Sequence, residues 1–526
     1  MASVTLGAAA PPAPEPPAPD PPAPEPSAPD PAGSALMTPA QRGLGMLLCL
    51  VTIVLAVLDM NIVSAAAVPI VRDLDPVHGV DRLPWLVSAF ALAATALLPL
   101  YGRLCDAYGA KRVLLGAVGT FLLGSALCGA AGSMDQLIAF RAVQGIGGGG
   151  LMSVTMVVIA QFKGPEERGG GGKGGAVGGI VAGLGMAVGP LIGALLTDHL
   201  SWRWIFYVNL PLGLLVLVGV ALVVKLPPTG GSRGLDFAGA ALAAAFSVGL
   251  LLVTEWGGKD YAWTSPVILG LAAATLGAFG LFLWRQATAA EPVLPLSLFR
   301  IREVRLGFAV QGLVGVGMVG SIIHVMLYLQ VARDVAPTSA SLYLIPMAAG
   351  MAGSGALVGW LTGRGHPAST FLVLGAGCAT LALALLGLSG PDTGLWAVLA
   401  ELALLGAGLG QLIGQLVTVV QEVAPRHQLG VATAGIRFFQ SLGSALGAAL
   451  FGTVLSRVFE AGEHGRPLGA IRTLTGAAHE HAVRSFTDAV DVVFLSAGGV
   501  LALAFLCVLR LRSAERASAV GGTSAA

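Results

Sequence analysis

The chain has 526 residues, of which 55% are hydrophobic and only 11% charged, and its mean hydropathy is +0.82. A soluble fold of this length has too little interior to hide so much apolar surface, so a water-soluble enzyme or binding domain is excluded. The formal net charge of +1 says little by itself, and no nucleic-acid partner is expected.

Residues 11–30 repeat PPAPE, PPAPD, PPAPE, PSAPD. Such a tract favours extended polyproline conformations and cannot build a core. Its acids (Glu15, Asp20, Glu25, Asp30) come with no basic residue, so it is not a signal peptide. Residues 1–42 therefore read as a disordered cytoplasmic tail, with docking of a partner through the prolines as the alternative.

From there on, apolar stretches of about 20 residues, the length that crosses a bilayer, recur along the chain. Their centres fall near Leu55, Ala93, Leu122, Ser153, Ala187, Leu215, Ala244, Leu276, Val316, Ala349, Leu381, Leu409, Leu446 and Ala502. The expectation is an all-α polytopic protein with fourteen transmembrane helices embedded in a lipid bilayer. Lysines and arginines lie about two to one on the side that holds the N-terminus, which predicts both termini in the cytoplasm and residence in the cell membrane. The five cysteines (Cys49, Cys105, Cys128, Cys378, Cys507) sit in or beside apolar spans without ligand spacing, so packing is expected, not a disulfide framework or a metal site.

Span 1 contains LDMNIVSAAAVP, Leu58 to Pro69. A carboxylate inside an apolar span is costly unless paired, hydrated or protonated, which singles out Asp59. Span 4 opens with RAVQGIGGGG, Arg141 to Gly150. Counting from the outer face at about 1.5 Å per residue puts Asp59 and Arg141 at similar depth. The arginine favours the charged form of Asp59 and desolvation opposes it. Two readings stay open, a proton-coupling pair and a permanent stabilising one. The link after span 2 reads GRLCDAYGAKR, in which Gly102 and Gly109 allow tight turns. There Asp106 lies between Arg103 and the Lys111/Arg112 pair, a cluster able to latch two helix bundles.

Between Gly183 and Leu196 the chain reads GLGMAVGPLIGALL. Gly185, Gly189 and Gly193 leave one helix face nearly free of side chains, so a neighbour packs backbone against backbone. Pro190 bends the helix there. Small-residue packing in any membrane bundle is the plainer reading. The glycine run at 169–175 lacks the GK[ST] ending of a phosphate loop, so no nucleotide drive, cofactor or enzymatic site is expected.

A faint repeat relates Gly102–Asp106 to Gly359–Gly363, and Gly185/Gly189 to Gly443/Gly447. It divides the chain into a six-helix bundle at 43–226, two added helices at 227–290 and a second six-helix bundle at 291–512. An extracellular loop is expected at about 457–488 and a cytoplasmic tail at 513–526. Weak symmetry between halves is what transporters with a central site show.

Together these stretches resemble the major facilitator superfamily, and within it the fourteen-span drug:proton antiporter family of QacA/EmrB type. GRLCDAYGAKR resembles its loop motif, LDMNIVSAAAVP its span-1 signature, RAVQGIGGGG its span-4 motif and GLGMAVGPLIGALL its antiporter motif. LSWRWIFYVNLPLG (200–213), EPVLPLSLFR (291–300) and LGVATAGIRFFQSLG (429–443) are similar to further segments of that family. The resemblance covers about residues 44–510 and implies a proton-driven, monomeric exporter of drugs or amphipathic and cationic small molecules, working by alternating access without a cofactor. Export of an endogenous metabolite, a self-made antibiotic or a lipid is the alternative, and a non-transporting sensor a more distant one.

The resemblance also implies roles. Asp59 and Arg141 would be the proton-coupling pair, joined by Glu401 as a second embedded acid, for which a hydrated helix end is the competing reading. Asp106 and Arg103, with Gly102, Gly109, Lys111 and Arg112, would be the conformational latch. Spans 1, 4, 9 and 12 would line a central cavity, making Asn61, Gln144, Gln311, His324, Tyr328, Gln411 and Gln415 candidate cavity groups, although a lone histidine such as His324 is more often packed. Three departures stand out: the glycine run before span 5, Glu255 where a small polar residue is usual, and Gln440 where an arginine is common, with Arg437 one turn earlier.

Overall fold

The computed structural model describes residues 37–76, 79–162, 189, 192–193, 195–226, 234–258, 260–335, 341–390, 393–463, 471 and 474–523. Among them, 13 helices are long and apolar enough to cross a membrane, and each contains one of the expected centres. The centre near Ala187, with Gly185 and Pro190 of the glycine stripe, lies outside the described residues, as do 1–36 and the glycine run.

The helices are α1 (Pro39–Ala65), α2 (Ala67–Leu74), α3 (Gly79–Tyr108), α4 (Ala110–Gly129), α5 (Met134–Phe162), α6 (Trp204–Tyr207) and α7 (Asn209–Val223). Then come α8 (Phe237–Trp256), α9 (Pro266–Thr288), α10 (Arg302–Val331), α11 (Ile345–Thr362), α12 (Ala368–Leu386), α13 (Leu395–Val423), α14 (Leu429–Gly462) and α15 (Ala477–Thr523). Local chemistry starts several of them. Thr38 and Gln41 form a capping box with Pro39 in the first turn of α1. Asp236 caps α8 through the Gly239 N–H, and Ser265 caps α9 ahead of Pro266.

Glycine sets which helices touch. In lipid the drive to pack comes from close backbone approach more than from burial of apolar surface. On α5, Gly145 and Gly149 lie on the backbone of Phe90 and Ala94 of α3, while Gly147 lies on that of Phe121 of α4. Helix α13 repeats the device. Gly406 and Gly410 lie on Met347 and Met351 of α11, and Gly408 lies on Gly375 and Ala379 of α12. Each of these two helices is thus clamped between its neighbours by an alternating glycine run.

The added pair α8 and α9 pack on each other and are tied by an Arg285–Asp236 ion pair of 2.9 Å. Phe246 and Leu250 of α8 join Leu98 of α3 and Phe438 and Leu442 of α14 in one apolar cluster. The pair therefore covers the seam where α3 meets α14. Within the connection expected at 457–488, α14 continues to Gly462 and α15 begins at Ala477. At these helix ends Ser485 donates to Glu463, and His481 Nδ1 lies 2.7 Å from the same carboxylate.

Candidate functional site

Asp59, six residues before the end of α1, is fully buried, and Arg141 of α5 is 2% exposed. The guanidinium donates to Asp59 Oδ2 at 2.8 Å, to Gln144 Oε1 at 2.7 Å and to the Leu86 carbonyl at 3.1 Å. Phe90 of α3 stacks beneath it, 4.4 Å from the ring centroid. Asp59 Oδ1 accepts from Gln144 Nε2 at 2.8 Å and from Asn209 Nδ2 at 2.9 Å. Ser125 of α4 accepts from both amides and donates its own proton to the Phe206 carbonyl.

Every group facing the carboxylate here is a donor, an arrangement that fits the ionised form. Five helices contribute, so any change of charge on Asp59 is felt by α1, α3, α4, α5 and α7 together. Gln144, which the resemblance implied as a cavity group, is a member of this network. Asn209, Ser125 and Phe90 complete it and were not among the candidates. The one sequence signal for Asn209 was its place in WRWIFYVNLPLG.

The turn between α3 and α4 carries the expected latch, with Gly109 at φ +91° supplying the backbone reversal. Its partners differ from the local cluster expected. Asp106 accepts from the Gly430 and Val431 N–H groups at 2.8 and 3.0 Å, at the first turn of α14. Free N–H groups and the helix dipole both favour a carboxylate there. Arg103 forms an ion pair with Glu291, beyond α9. Lys111 donates to the Ala221 carbonyl near the end of α7, and Arg112 is exposed. Gly102 permits the contact: a Cβ there would lie 2.7 Å from Val431 Cα and 2.9 Å from the Gly430 carbonyl oxygen. One turn deeper, Gln421 of α13 donates to the Met156 carbonyl of α5 and to Thr433 of α14. On the face of the membrane that carries this turn, the two halves meet through these contacts.

The remaining candidates fall in several places. Gly189, buried, faces Asn61 of α1 so closely that a Cβ would sit 2.7 Å from the Asn61 Cβ; Asn61 itself donates to the Val57 carbonyl. The Gly193 carbonyl accepts from Thr197. His324 packs edge-on against Phe451 with Nδ1 2.7 Å from the Gly320 carbonyl, and Gln411 lies against Gly375 of α12 while donating to Ala407. These two belong to packing surfaces. Gln311 and Gln415 are 0% and 1% exposed, and neither amide has a hydrogen-bond partner among the described residues. Glu401 accepts from Ser389 and interacts electrostatically with Tyr328, as does Asp491 of α15, an embedded acid not foreseen. Arg333 donates to the Tyr328 hydroxyl.

At the opposite face Asp73 of α2 accepts from Arg203 at 2.7 Å and from Trp202 at 3.0 Å. The Arg203 hydrogen bond, then that from Trp202, hold the Asp73 carboxyl below its ordinary range. A lowered folded-state value adds stability above the unfolded value that disappears as pH falls through the folded one. Asp73 is 47% exposed, so the effect is small. In detergent, the wild-type melting temperature should decline slightly more steeply than that of Asp73→Asn as pH drops below about 4; parallel curves would remove the clasp as a contributor.

The fold and this site define a polytopic membrane transporter, built from helices that meet along a sealed seam and hold a buried charge network in one half. Residues 48–448 match the family model described as Major Facilitator Superfamily. The chain is 33% identical over 402 residues to the multidrug transporter protein MdtP of Bacillus subtilis, covering 76% of this chain and 72% of that one. It is also 33% identical over 466 residues to the puromycin resistance protein pur8 of Streptomyces alboniger, covering 87% and 90%. Among solved structures, the human organic anion transporter MFSD10 superposes with a TM-score of 0.61 over 90% of this chain and all of that one, at 16% identity, a likeness of fold alone. The chain belongs to the major facilitator superfamily.

Proposed function

We propose that this transporter is a proton-coupled exporter of drugs or other amphipathic small molecules, of the fourteen-span drug:proton antiporter type, residing in the cell membrane with both termini cytoplasmic. The observation that carries the coupling is Asp59, a fully buried carboxylate within the first span held by three side-chain donors. Proton uptake removes the charge that orders those donors, so it loosens α1 from α5 and α7 and biases the rocking of one half against the other. In this reading the Gly102–Asp106 seam is the closed cytoplasmic gate. Relatives named as a multidrug transporter and an antibiotic resistance protein support the cargo class.

A second reading, export of a lipid or endogenous apolar metabolite, is favoured by one feature. A pocket of about 640 Å³ lies between α8, α9, α10 and α14, lined by Phe246, Phe279, Phe308, Phe439 and Leu446 among others. Everted vesicles energised by respiration separate the two. Ethidium or rhodamine addition should partly collapse the pH gradient in vesicles holding the protein and not in controls. An unchanged gradient across a broad panel of such dyes, with lipid transfer instead, would favour the second reading.

A further inference from the structure

Helix α14 has two opposite faces. Phe438, Phe439, Leu442 and Leu446 line the apolar pocket, whereas Thr433, Arg437, Gln440 and Ser444 follow at spacings of four, three and four, one stripe of a helix. Thr433, at the base of that stripe, meets Gln421 of α13, which in turn reaches α5. The base of the polar stripe therefore reaches toward α13 and α5, its upper end packs on α10, where Ser444 donates to the Gly315 carbonyl at 3.4 Å, and Arg437 stands between the two, one turn behind the seal.

Arg437 is a cation deep in a membrane span. Its guanidinium donates to Gln440 Oε1 at 3.0 Å, its Nε has no partner, and no carboxylate pairs with it among the described residues. A charge in such a place is expensive unless something compensates it. Asp59 does not, being committed to Arg141, Gln144 and Asn209. Gln311 lies at the same level. It is nine residues into α10 and Arg437 eight into α14, about 12–14 Å from parallel helix starts at 1.5 Å per residue. The contacts of Phe308 with Gly435 and of Gly315 with Gln440 fix that register. Gln311 is completely buried, with both amide atoms unpartnered among the described residues.

We propose that Arg437, with Gln440 and the unpartnered amide of Gln311, is a substrate subsite for an anionic oxygen group, a carboxylate above all. The proposal rests on the exporter reading and adds to it a preference, within its cargo, for amphipathic molecules that carry such a group, zwitterions included. The guanidinium supplies a planar pair of donors matched to a carboxylate. Gln311 adds a further donor, and the apolar body of the molecule is left to the alanine, glycine and leucine walls. Once bound, the cargo itself supplies the compensating charge that the empty span lacks.

Rhodamine B and its ethyl ester make a matched probe pair, sharing one cationic ring system and differing in a free carboxylate. Binding of each to the purified full-length protein is read by fluorescence polarisation. Wild type should bind the acid about tenfold more tightly than the ester, the range of one charge-assisted hydrogen bond. Arg437→Gln should erase that preference and Arg437→Lys should restore part of it. Equal binding of acid and ester by wild type, absence of acid binding, or a preference that survives Arg437→Gln overturns the subsite. Gln311→Glu is an independent check that needs no dye. An open cation would take the new carboxylate and raise the melting temperature, whereas a fall would show that Arg437 is already compensated and overturn the proposal. Efflux of the ester from cells reports on the exporter reading separately: ester export without acid preference sinks the subsite alone, and export of neither dye sinks the reading beneath it.

Discussion

Asp59→Asn is expected to abolish pH-driven efflux while the protein still reaches the membrane. The carboxylate accepts from Arg141 on one oxygen and from Gln144 and Asn209 on the other. An amide can keep only one of those oxygens. If it faces Gln144 and Asn209, its NH2 points at the guanidinium, leaving a buried arginine without its anion. Breaking a buried ion pair from one side costs about 3–5 kcal/mol, a large share of a typical folding free energy of about 5–15 kcal/mol. Asp59→Asn should therefore lower the melting temperature in detergent as well as uncouple transport. Asp59→Asn with Arg141→Gln removes both charges and should recover most of that stability with no recovery of coupling. This double variant separates the two readings of the pair. If the pair only stabilises, the double variant transports; if it couples, the double variant is stable and inert. Unchanged pH-driven efflux in the single variant would remove Asp59 from the coupling step.

Part of this network is legible in the sequence because the chemistry of burial is local. A carboxylate in span 1 and a guanidinium in span 4 each need a partner in lipid, and equal depth pairs them. The alternating glycines of α5 signal close packing in the same way. Asn209 could not be read so: it lies 150 residues from Asp59, and an asparagine near a helix start has many uses. Asp106 misled for a related reason. The nearest cations in sequence suggested its partners, but two backbone N–H groups at the start of α14, 324 and 325 residues away, hold it instead. Helix starts are invisible as anion sites until something is packed on them. The cavity candidates fared unevenly because polarity within a span does not say which way a side chain points. The contacts of Gly320 and Phe451, and of Gly375, turn His324 and Gln411 into packing surfaces. Only the register between α10 and α14 brings Gln311 to the level of Arg437.

Gly102→Val should hold the seam open. The added Cβ would fall 2.7 Å from Val431 Cα, 2.9 Å from the Ala434 Cβ and 2.9 Å from the Gly430 carbonyl oxygen. Backbone cannot rotate away as a flexible side chain can, so α3 and α14 must separate. Separation also withdraws Asp106 from its two N–H donors, and the two losses reinforce each other. Overpacking of this kind costs about 1–3 kcal/mol, and every 1.4 kcal/mol is about tenfold in an equilibrium constant. The sealed state would lose about five- to 140-fold in population, while each half keeps its own packing. Cys105 reports the outcome, since it is 2% exposed and lies in this contact beside Gly430. In a background where the other four cysteines are replaced by alanine, maleimide labelling of Cys105 should be slow in the parent and fast in Gly102→Val, with transport lost. Gly116→Ala is the control, because nothing lies within 4 Å of the position its Cβ would take. Slow labelling in Gly102→Val with transport intact would mean that the seam tolerates a side chain there and does not act as the gate.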